Sequence, residues 1–343
     1  MAFTVYLEPS GHYFDIEPDE TILDAALRHG HAFPYGCRSG GCGACLGQLL
    51  EGELNYDTNR PLPPTARNMP RGTTFFCQAR AASDLIIEVK EIGAVKNLTV
   101  KTLPVLVQTK EQLADDVMRL YLKLPKDEHL RFLAGQYIDI LMKDGRRRSF
   151  SIANMPRIDH LLELHIRHVE GGDFTGYIFD QLREKDVLRI EGPHGNFFLR
   201  ENSTRPLLLV AGGTGFAPVK SILEHAFVEE MSQSMRLYWG VRGEADLYLD
   251  SLPQQWAQEH ADFRYVPVLS EPSRRWRGAR GYVHEAVIAD LAARGEELSA
   301  FDVYVCGPPA MVRAAFAAFR ERGLEEAHFY SDAFEFQAPK ADG

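Results

Sequence analysis

Four cysteines place the strongest constraint on this chain. Three of them lie in one short stretch, Cys37-Arg38-Ser39-Gly40-Gly41-Cys42-Gly43-Ala44-Cys45, and Cys77 follows further on. Four residues separate Cys37 from Cys42, and two separate Cys42 from Cys45. That is the spacing of thiolates that hold a 2Fe–2S cluster. Two irons and two sulfides need four sulfurs converging from one side, and a glycine-rich loop can supply three. Gly36, Gly40, Gly41 and Gly43 let the backbone curl and turn amide N–H groups toward the sulfurs. Cys77 must then return from a distant strand. A zinc site more often shows two separated Cys-x-x-Cys pairs, and this chain has one. A disulfide framework suits a short secreted chain.

The bulk properties agree with a globular protein. A length of 343 residues suggests two or three domains, and 45% hydrophobic with 25% charged residues suffices for several cores. The formal net charge of −10 and the lack of a basic block with interleaved aromatics argue against a nucleic-acid partner. Five cysteines, an odd number with four in cluster spacing, point to a reducing compartment. The N-terminus has no basic segment followed by an apolar one, and no apolar run approaches membrane-spanning length. The expectation is a cytoplasmic chain without a membrane partner.

Three domains are expected: 1–92, 101–203 and 204–343. In the first, Thr4-Val5-Tyr6-Leu7 and Tyr13-Phe14-Asp15-Ile16 alternate about Gly11 as a hairpin. Residues 21–29 form a short helix with Ile22, Leu23, Ala26 and Leu27 on one face and Gly30 at its stop. Residues 46–50 and 85–89 read as strands, and residues 92–104 as a linker. From Lys101 to about Arg200, short strands with few helices suggest an antiparallel barrel. From Arg205, strands alternate with helices, the pattern of a doubly wound parallel sheet.

The barrel carries Arg148-Ser149-Phe150-Ser151. An arginine can fork onto a pyrophosphate, an aromatic can pack on a flat ring, and a serine can hydrogen-bond a ring nitrogen. Strand alternation, however, sends Phe150 to the face opposite Ser149 and Ser151. Downstream, Gly171-Gly172-Asp173-Phe174-Thr175 opens a helix, where free N–H groups and the Thr175 hydroxyl can receive phosphate. His165 and His168 lie three apart on a strand and face opposite sides, so they read as ordinary strand histidines rather than metal ligands. In the third domain a buried-type strand, Leu207-Leu208-Leu209-Val210, runs into Ala211-Gly212-Gly213-Thr214-Gly215-Phe216-Ala217-Pro218. Gly213 and Gly215 fit the start of a dinucleotide fingerprint, but Pro218 replaces its third glycine. The phosphate-binding role survives, because proline is tolerated in the first turn of the helix expected over 219–229. A second loop, Cys306-Gly307-Pro308, also lies between a strand and a helix.

These motifs together resemble the ferredoxin–NADP reductase superfamily, and residues 1–92 resemble its plant-type ferredoxin partners with their β-grasp fold. The motifs are Arg148-Ser149-Phe150-Ser151, Gly192-Pro193-His194-Gly195, the Gly-Gly-Thr-Gly-x-Ala-Pro loop and Cys306-Gly307-Pro308. The resemblance implies that Arg148, Ser149, Phe150, Ser151, Gly172 and Thr175 hold FAD. It implies that Gly213, Thr214, Gly215, Pro218, Cys306, Gly307 and Pro308 hold the nicotinamide nucleotide. It places Ser151, Cys306 and the C-terminal aromatic Phe334 nearest the reacting rings, and it makes Cys37, Cys42, Cys45 and Cys77 the cluster ligands.

Three such units in series imply a current. A nicotinamide gives two electrons at once as hydride, a 2Fe–2S cluster accepts one at a time, and a flavin can do both. The domain order resembles reductase components of bacterial mono- and dioxygenases. The closer likeness, through residues 211–221, Ile190-Glu191-Gly192-Pro193, Tyr238-Trp239-Gly240 and Ser331-Asp332-Ala333-Phe334, is to the CDP-6-deoxy-Δ3,4-glucoseen reductase family. That likeness implies an NADH-dependent reductase whose acceptor protein is a sugar dehydratase. An oxygenase component, or a diaphorase-like flavin reduction with no dedicated acceptor, is the alternative. Glu271, after the strand ending at Leu269, would repel the 2′-phosphate of NADPH, although Arg274, Arg275, Arg277 and Arg280 are near it in sequence. NADH is therefore expected over NADPH.

Overall fold

The computed structural model describes residues 2–36, 38, 40, 43–57, 69–91, 98–156 and 160–334. The chain divides into two compact units, Met1–Thr99 and Val100–Gly343. In the first, β1 (Phe3–Glu8) and β2 (Tyr13–Ile16) form the expected hairpin about Gly11, and α1 (Ile22–Arg28) follows. The Thr21 hydroxyl caps α1 by accepting from the Asp24 amide, and Gly30 at φ +82° ends it. The buried face is Ile22, Leu23, Ala25 and Ala26, with Leu27 only half-buried. Then come β3 (Leu46–Glu51), β4 (Leu54–Tyr56), β5 (Thr73–Phe75), β6 (Ala79–Ala81) and β7 (Leu85–Glu88). The sheet order is β2-β1-β7-β3-β5, with β1 and β7 parallel and the other pairs antiparallel. A mixed sheet folded over one helix is the β-grasp arrangement expected above.

The second unit begins with β8 (Lys101–Ala114), which corrects the sequence reading of a linker reaching residue 104. Leu103 and Val105 alternate inward, and Lys101 to Leu106 pair with the later strand β13, so Pro104 sits inside a strand. After it come β9 (Val117–Lys123), β10 (Tyr137–Leu141), β11 (Arg147–Ser151), β12 (Leu161–Arg167), α2 (Asp173–Asp180) and β13 (Val187–His194). The antiparallel order is β11-β10-β13-β8-β9-β12, and the bridge Ile152–Leu164 links the two outer strands into a barrel. Its interior is filled by Val105, Leu120, Leu122, Ile138, Ile140, Leu164 and Ile190.

The remaining elements are β14 (Leu207–Gly212), α3 (Phe216–Val228), β15 (Met235–Val241), α4 (Ser251–Glu259), β16 (Phe263–Leu269), β17 (Ala279–Arg280), α5 (Val283–Arg294), β18 (Asp302–Gly307), α6 (Pro309–Arg320) and β19 (Phe329–Ala333). The strands form one parallel sheet in the order β17-β16-β15-β14-β18-β19. Strand alternation divides β14 between two cores. Leu207 and Leu209 face α3 and α4, and Leu208 and Val210 face α5 and α6. The α3-side core also takes in Val117, Ala134, Phe197 and Leu199 from the barrel side, so barrel and sheet share one interior.

A buried polar network crosses that interior. Lys220 on α3 is 5% exposed, and its ammonium donates to Glu163 Oε2 on β12 at 2.9 Å and to the Ala153 carbonyl at 3.3 Å. It also pairs with Glu224 at 2.8 Å. Glu163 Oε1 accepts from His165 Nε2 at 2.9 Å, and His165 Nδ1 accepts from the Tyr248 hydroxyl at 3.0 Å. Burial by itself would raise the Glu163 pKa, but the His165 hydrogen bond and the Lys220 charge hold it at about 2, below the ordinary 4.5. Burial likewise pushes His165 below its ordinary 6.5, against the pull of Glu163, so the ring is neutral with its proton on Nε2.

Both depressed values make the fold acid-sensitive with one sign. Their contribution is complete above the unfolded values, about 6.5 for histidine and 4.3 for glutamate, and is lost as pH falls through the folded ones. Glu163→Gln removes one partner of a buried ion pair and should destabilise the second unit by about 3 kcal/mol at pH 7. For a unit of this size that is a fall of roughly 6–12 °C in Tm, read from circular dichroism on heating. The gap from the unsubstituted protein should narrow as pH falls below about 4.5, where the Glu163 carboxylate of the unfolded chain takes up protons while the native one, at about 2, does not. An unchanged gap down to pH 3 would place the acid sensitivity elsewhere.

Candidate functional site

In the first unit, Cys45 and Cys77 are both buried, and their sulfurs lie 3.1 Å apart. That is far beyond a disulfide length of about 2.05 Å, and it suits two ligands turned to a common centre. The loop is tied to the strands by the Phe76 amide, which donates to the Cys45 carbonyl at 3.0 Å. Gln78 Nε2 donates to the Arg38 carbonyl at 3.0 Å, joining the two ends of the cysteine region. The Arg38 guanidinium in turn pairs with Asp24 on α1. Gly43 turns at φ +79°. Cys37 and Cys42 lie outside the described residues.

In the barrel, β11 keeps strict alternation. Arg148 and Phe150 stand in register with Ile140 and Ile138, while Ser149 and Ser151 stand opposite Asp139 and Tyr137. Phe150 is half-buried with its ring 5.8 Å from Phe174 at the start of α2. Arg148 is half-buried, and burial together with the neighbouring Arg146 lowers its pKa from the ordinary value, although a guanidinium remains charged. The Ser149 hydroxyl donates to Asp139 Oδ1 at 2.6 Å and is thereby committed to the barrel wall. Thr175 is also used locally. Its hydroxyl accepts from the Val169 amide at 3.0 Å and reaches the Gly172 carbonyl at 3.3 Å, stapling the turn that opens α2. The free amides at the start of α2, rather than the Thr175 hydroxyl, are what this turn offers a phosphate.

The parallel sheet brings its two loops together. Strand order runs outward from β14 through β15 on one side and from β18 through β19 on the other, so the switch point lies between β14 and β18. Ligands of open α/β sheets bind at such a point, beyond the carboxyl ends of the strands. The turn Gly213–Gly215 follows β14, and Cys306-Gly307-Pro308 ends β18. A Cβ on Gly215 would lie 2.1 Å from the Cys306 carbonyl oxygen, and one on Gly212 would lie 2.5 Å from Met311 Sδ. Only glycines allow the two loops this approach. Pro218 is buried in the first turn of α3, which starts at Phe216 and not at residue 219 as the sequence suggested. Cys306 is fully buried, and burial pushes its thiol well above the usual range, with the Asp332 charge adding to it, so it is no nucleophile. The Phe334 amide donates to the Gly307 carbonyl at 3.0 Å, which brings that aromatic residue to the same loop.

Flavin and nucleotide motifs are also adjacent. Two residues after Ser151, the Ala153 carbonyl receives Lys220, and the Asn154 carbonyl receives the Ser221 hydroxyl at 2.7 Å. The end of β11 is thus clamped to the helix that starts at the glycine turn.

Two residues to which the sequence assigned no site role, Trp239 of the Tyr238-Trp239-Gly240 motif and Arg167, stand against this turn. The Trp239 indole donates to the Gly213 carbonyl at 2.9 Å and stacks on Phe216 at 4.1 Å, holding the turn from below. Arg167, at the end of β12, stands over the turn, with Nη1 3.1 Å from where a Gly213 Cβ would be. Its Nε pairs with Asp116 at 3.2 Å, and its buried Nη2 has no hydrogen-bond partner among the described residues. A cation beside free helix-start amides matches a pyrophosphate. Arg167 is far in sequence from Gly213, so only the fold reveals that it stands over that turn.

Comparison with known proteins assigns each region. Residues 5–82 match the 2Fe-2S iron-sulfur cluster binding domain family, residues 104–199 the oxidoreductase FAD-binding domain and residues 209–316 the oxidoreductase NAD-binding domain. The chain is 40% identical to the CDP-6-deoxy-L-threo-D-glycero-4-hexulose-3-dehydrase reductase of Yersinia pestis, over 97% of this chain and 99% of that protein. It is 34% identical to reductase component 1 of the terephthalate 1,2-dioxygenase of a Comamonas species, over 97% and 98%. Among solved structures it is similar to the Amycolatopsis cytochrome P450 reductase GcoB, with a TM-score of 0.82, 34% identity and coverage of 97% and 98%. This chain belongs to the family of 2Fe–2S flavoprotein reductases, NAD(P)H-dependent oxidoreductases that join these three domains.

Proposed function

We propose that this protein carries electrons from NADH through FAD and the 2Fe–2S cluster to a CDP-6-deoxy-4-hexulose 3-dehydrase, working in the cytoplasm. The carrying observation is the 40% identity to the Yersinia pestis reductase over nearly the whole of both chains. A reductase component of an oxygenase is the second reading, favoured by the 34% identity to the terephthalate dioxygenase reductase at equal coverage. One NADH yields NAD⁺, one proton and two electrons, which leave singly through the cluster.

The residues divide this work. Arg148 and the amides at the start of α2 would hold the FAD pyrophosphate, with Phe150 against the flavin and Ser151 at the ring edge. Gly213, Thr214 and Gly215, with Arg167 above them, would hold the nucleotide phosphates. Cys306, Gly307 and Pro308 would line the nicotinamide side, and Phe334 would cover the flavin face that the nicotinamide must reach. Cys37, Cys42, Cys45 and Cys77 would ligate the cluster. Bound flavin supplies the conversion of a hydride into single electrons. The chain's part is to bring the two rings into contact at a fixed distance.

Three outcomes test this reading. Reconstitution with a CDP-6-deoxy-4-hexulose 3-dehydrase should give NADH-dependent turnover, and turnover only with an oxygenase component would move the protein to the second reading. Cys45→Ser should abolish the reduced-cluster EPR signal while NADH still bleaches the flavin bands; loss of both would show that the cysteines hold the fold as well as the current. Glu271 is exposed beyond β16, with its amide on the Arg242 carbonyl at 2.8 Å. NADH should be preferred over NADPH at least tenfold in kcat/KM, about 1.4 kcal/mol, and Glu271→Arg should narrow that ratio.

A further inference from the structure

The first unit holds a cluster of side chains that the electron path does not use. His12 lies in the turn between β1 and β2, His31 follows α1, and Glu91 lies just beyond β7. Three separate segments bring them to one point. His12 Nδ1 lies 2.7 Å from Glu91 Oε2, and His31 Nδ1 lies 2.8 Å from Glu91 Oε1. The two imidazole rings stand 5.2 Å apart at 41°. One nitrogen from each ring and one carboxylate oxygen all fall within 4.8 Å of one another.

The surroundings orient these groups. His31 packs on Phe14, ring to ring at 5.8 Å, and Phe14 is itself buried against Phe33. His31 and Glu91 have side chains 14% and 18% exposed, while His12, at 45%, closes the cluster from the solvent side. Burial would raise the Glu91 pKa, but hydrogen bonds from Ser10, His12 and His31 hold it at about 2, so the carboxylate is charged at every physiological pH.

We propose that His12, His31 and Glu91 form a binding site for a first-row divalent cation, with Zn²⁺ the ion they suit. Two imidazole nitrogens and one carboxylate oxygen are a donor set that zinc accepts, with water completing four-coordination. Ligand atoms on a tetrahedral zinc lie about 3.3 Å apart, from bond lengths near 2.0–2.2 Å. The two nitrogen–oxygen separations therefore need to open by roughly half an ångström each, one involving the exposed His12 ring and the other the Glu91 carboxylate against His31. Each ring would carry its proton on Nε2 and present Nδ1 to the metal. No bond to carbon changes and no electron moves. The cation would tie the β1–β2 turn and the segment after α1 to the segment just beyond β7.

A second cluster, Asp139, Glu191 and His194, has similar composition and offers no such site. Arg147 already pairs with both carboxylates there, so its cation is supplied by the chain.

The test is calorimetric titration of the cluster- and flavin-loaded protein with ZnCl₂ at pH 7.5, after chelator dialysis. One equivalent should bind with Kd of about 10 μM or tighter, leaving the visible cluster bands unchanged. His12→Ala and Glu91→Gln should each weaken binding at least thirtyfold. X-ray absorption of the zinc-loaded unsubstituted protein gives a reading independent of whether a variant folds; it should show a nitrogen and oxygen shell with two imidazoles. No binding below 100 μM, unchanged binding in both variants, or sulfur in the zinc shell would each overturn the proposal.

Discussion

A buried ammonium organises the second unit. Lys220 lies on the second turn of α3, where a lysine without partners would cost several kcal/mol to bury. The chain offsets this with two carboxylates and a backbone carbonyl. Each partner comes from a different place: Glu163 from β12, Ala153 from the segment after β11, and Glu224 from the next turn of α3. Satisfying one charge thus fixes the barrel strand that carries Arg148 and Phe150 against the helix that begins at the glycine turn. Hydrophobic packing alone permits sliding, because apolar contacts have no direction. A buried ion pair with three defined partners does not, and hydride transfer between two bound rings needs such a fixed registry.

The same network explains what could be read from sequence and what could not. Ligand chemistry is local and leaves a spacing, so the cysteine pattern and the glycine turns were legible. Registry within an element was legible too; alternation in Arg148-Ser149-Phe150-Ser151 is borne out residue by residue by the pairing with β10. Partners distant in sequence were not. Lys220 and Glu163 are 57 positions apart, and His165 reads as an ordinary strand histidine until Tyr248 and Glu163 are seen on either side of it. The β8 strand was half-missed because Pro104 argues against a strand, yet Pro104 faces outward while Leu103 and Val105 fill the core. The two-residue strand β17 is too short to show any period.

Several hydroxyls that looked like ligand donors turn out to be internal fasteners. Ser149 is held by Asp139, and Thr175 closes its own turn. In both cases the side chain acts on the protein around it, Ser149 on the neighbouring strand and Thr175 on its own turn. The glycines show the complementary logic. At Gly215 a methyl group would meet the Cys306 carbonyl at 2.1 Å, so the residue serves by what it lacks. Cys306 is a small side chain buried completely beneath that contact, and burial holds its thiol in the neutral form.

The last strand is fastened along its whole length to β18 and to the loop that ends it. Strand β19 pairs in register with β18 from Phe329 through Ala333, and the Phe334 amide continues the ladder onto Gly307. The backbone at Phe334 is therefore held by the loop that ends β18 beside the glycine turn. Swinging the strand aside would break that hydrogen bond and expose part of the core on which Phe334 packs. Rotating the ring alone would keep the hydrogen bond but withdraw the ring from that same core, so both backbone and side chain fasten Phe334 to the end of β18.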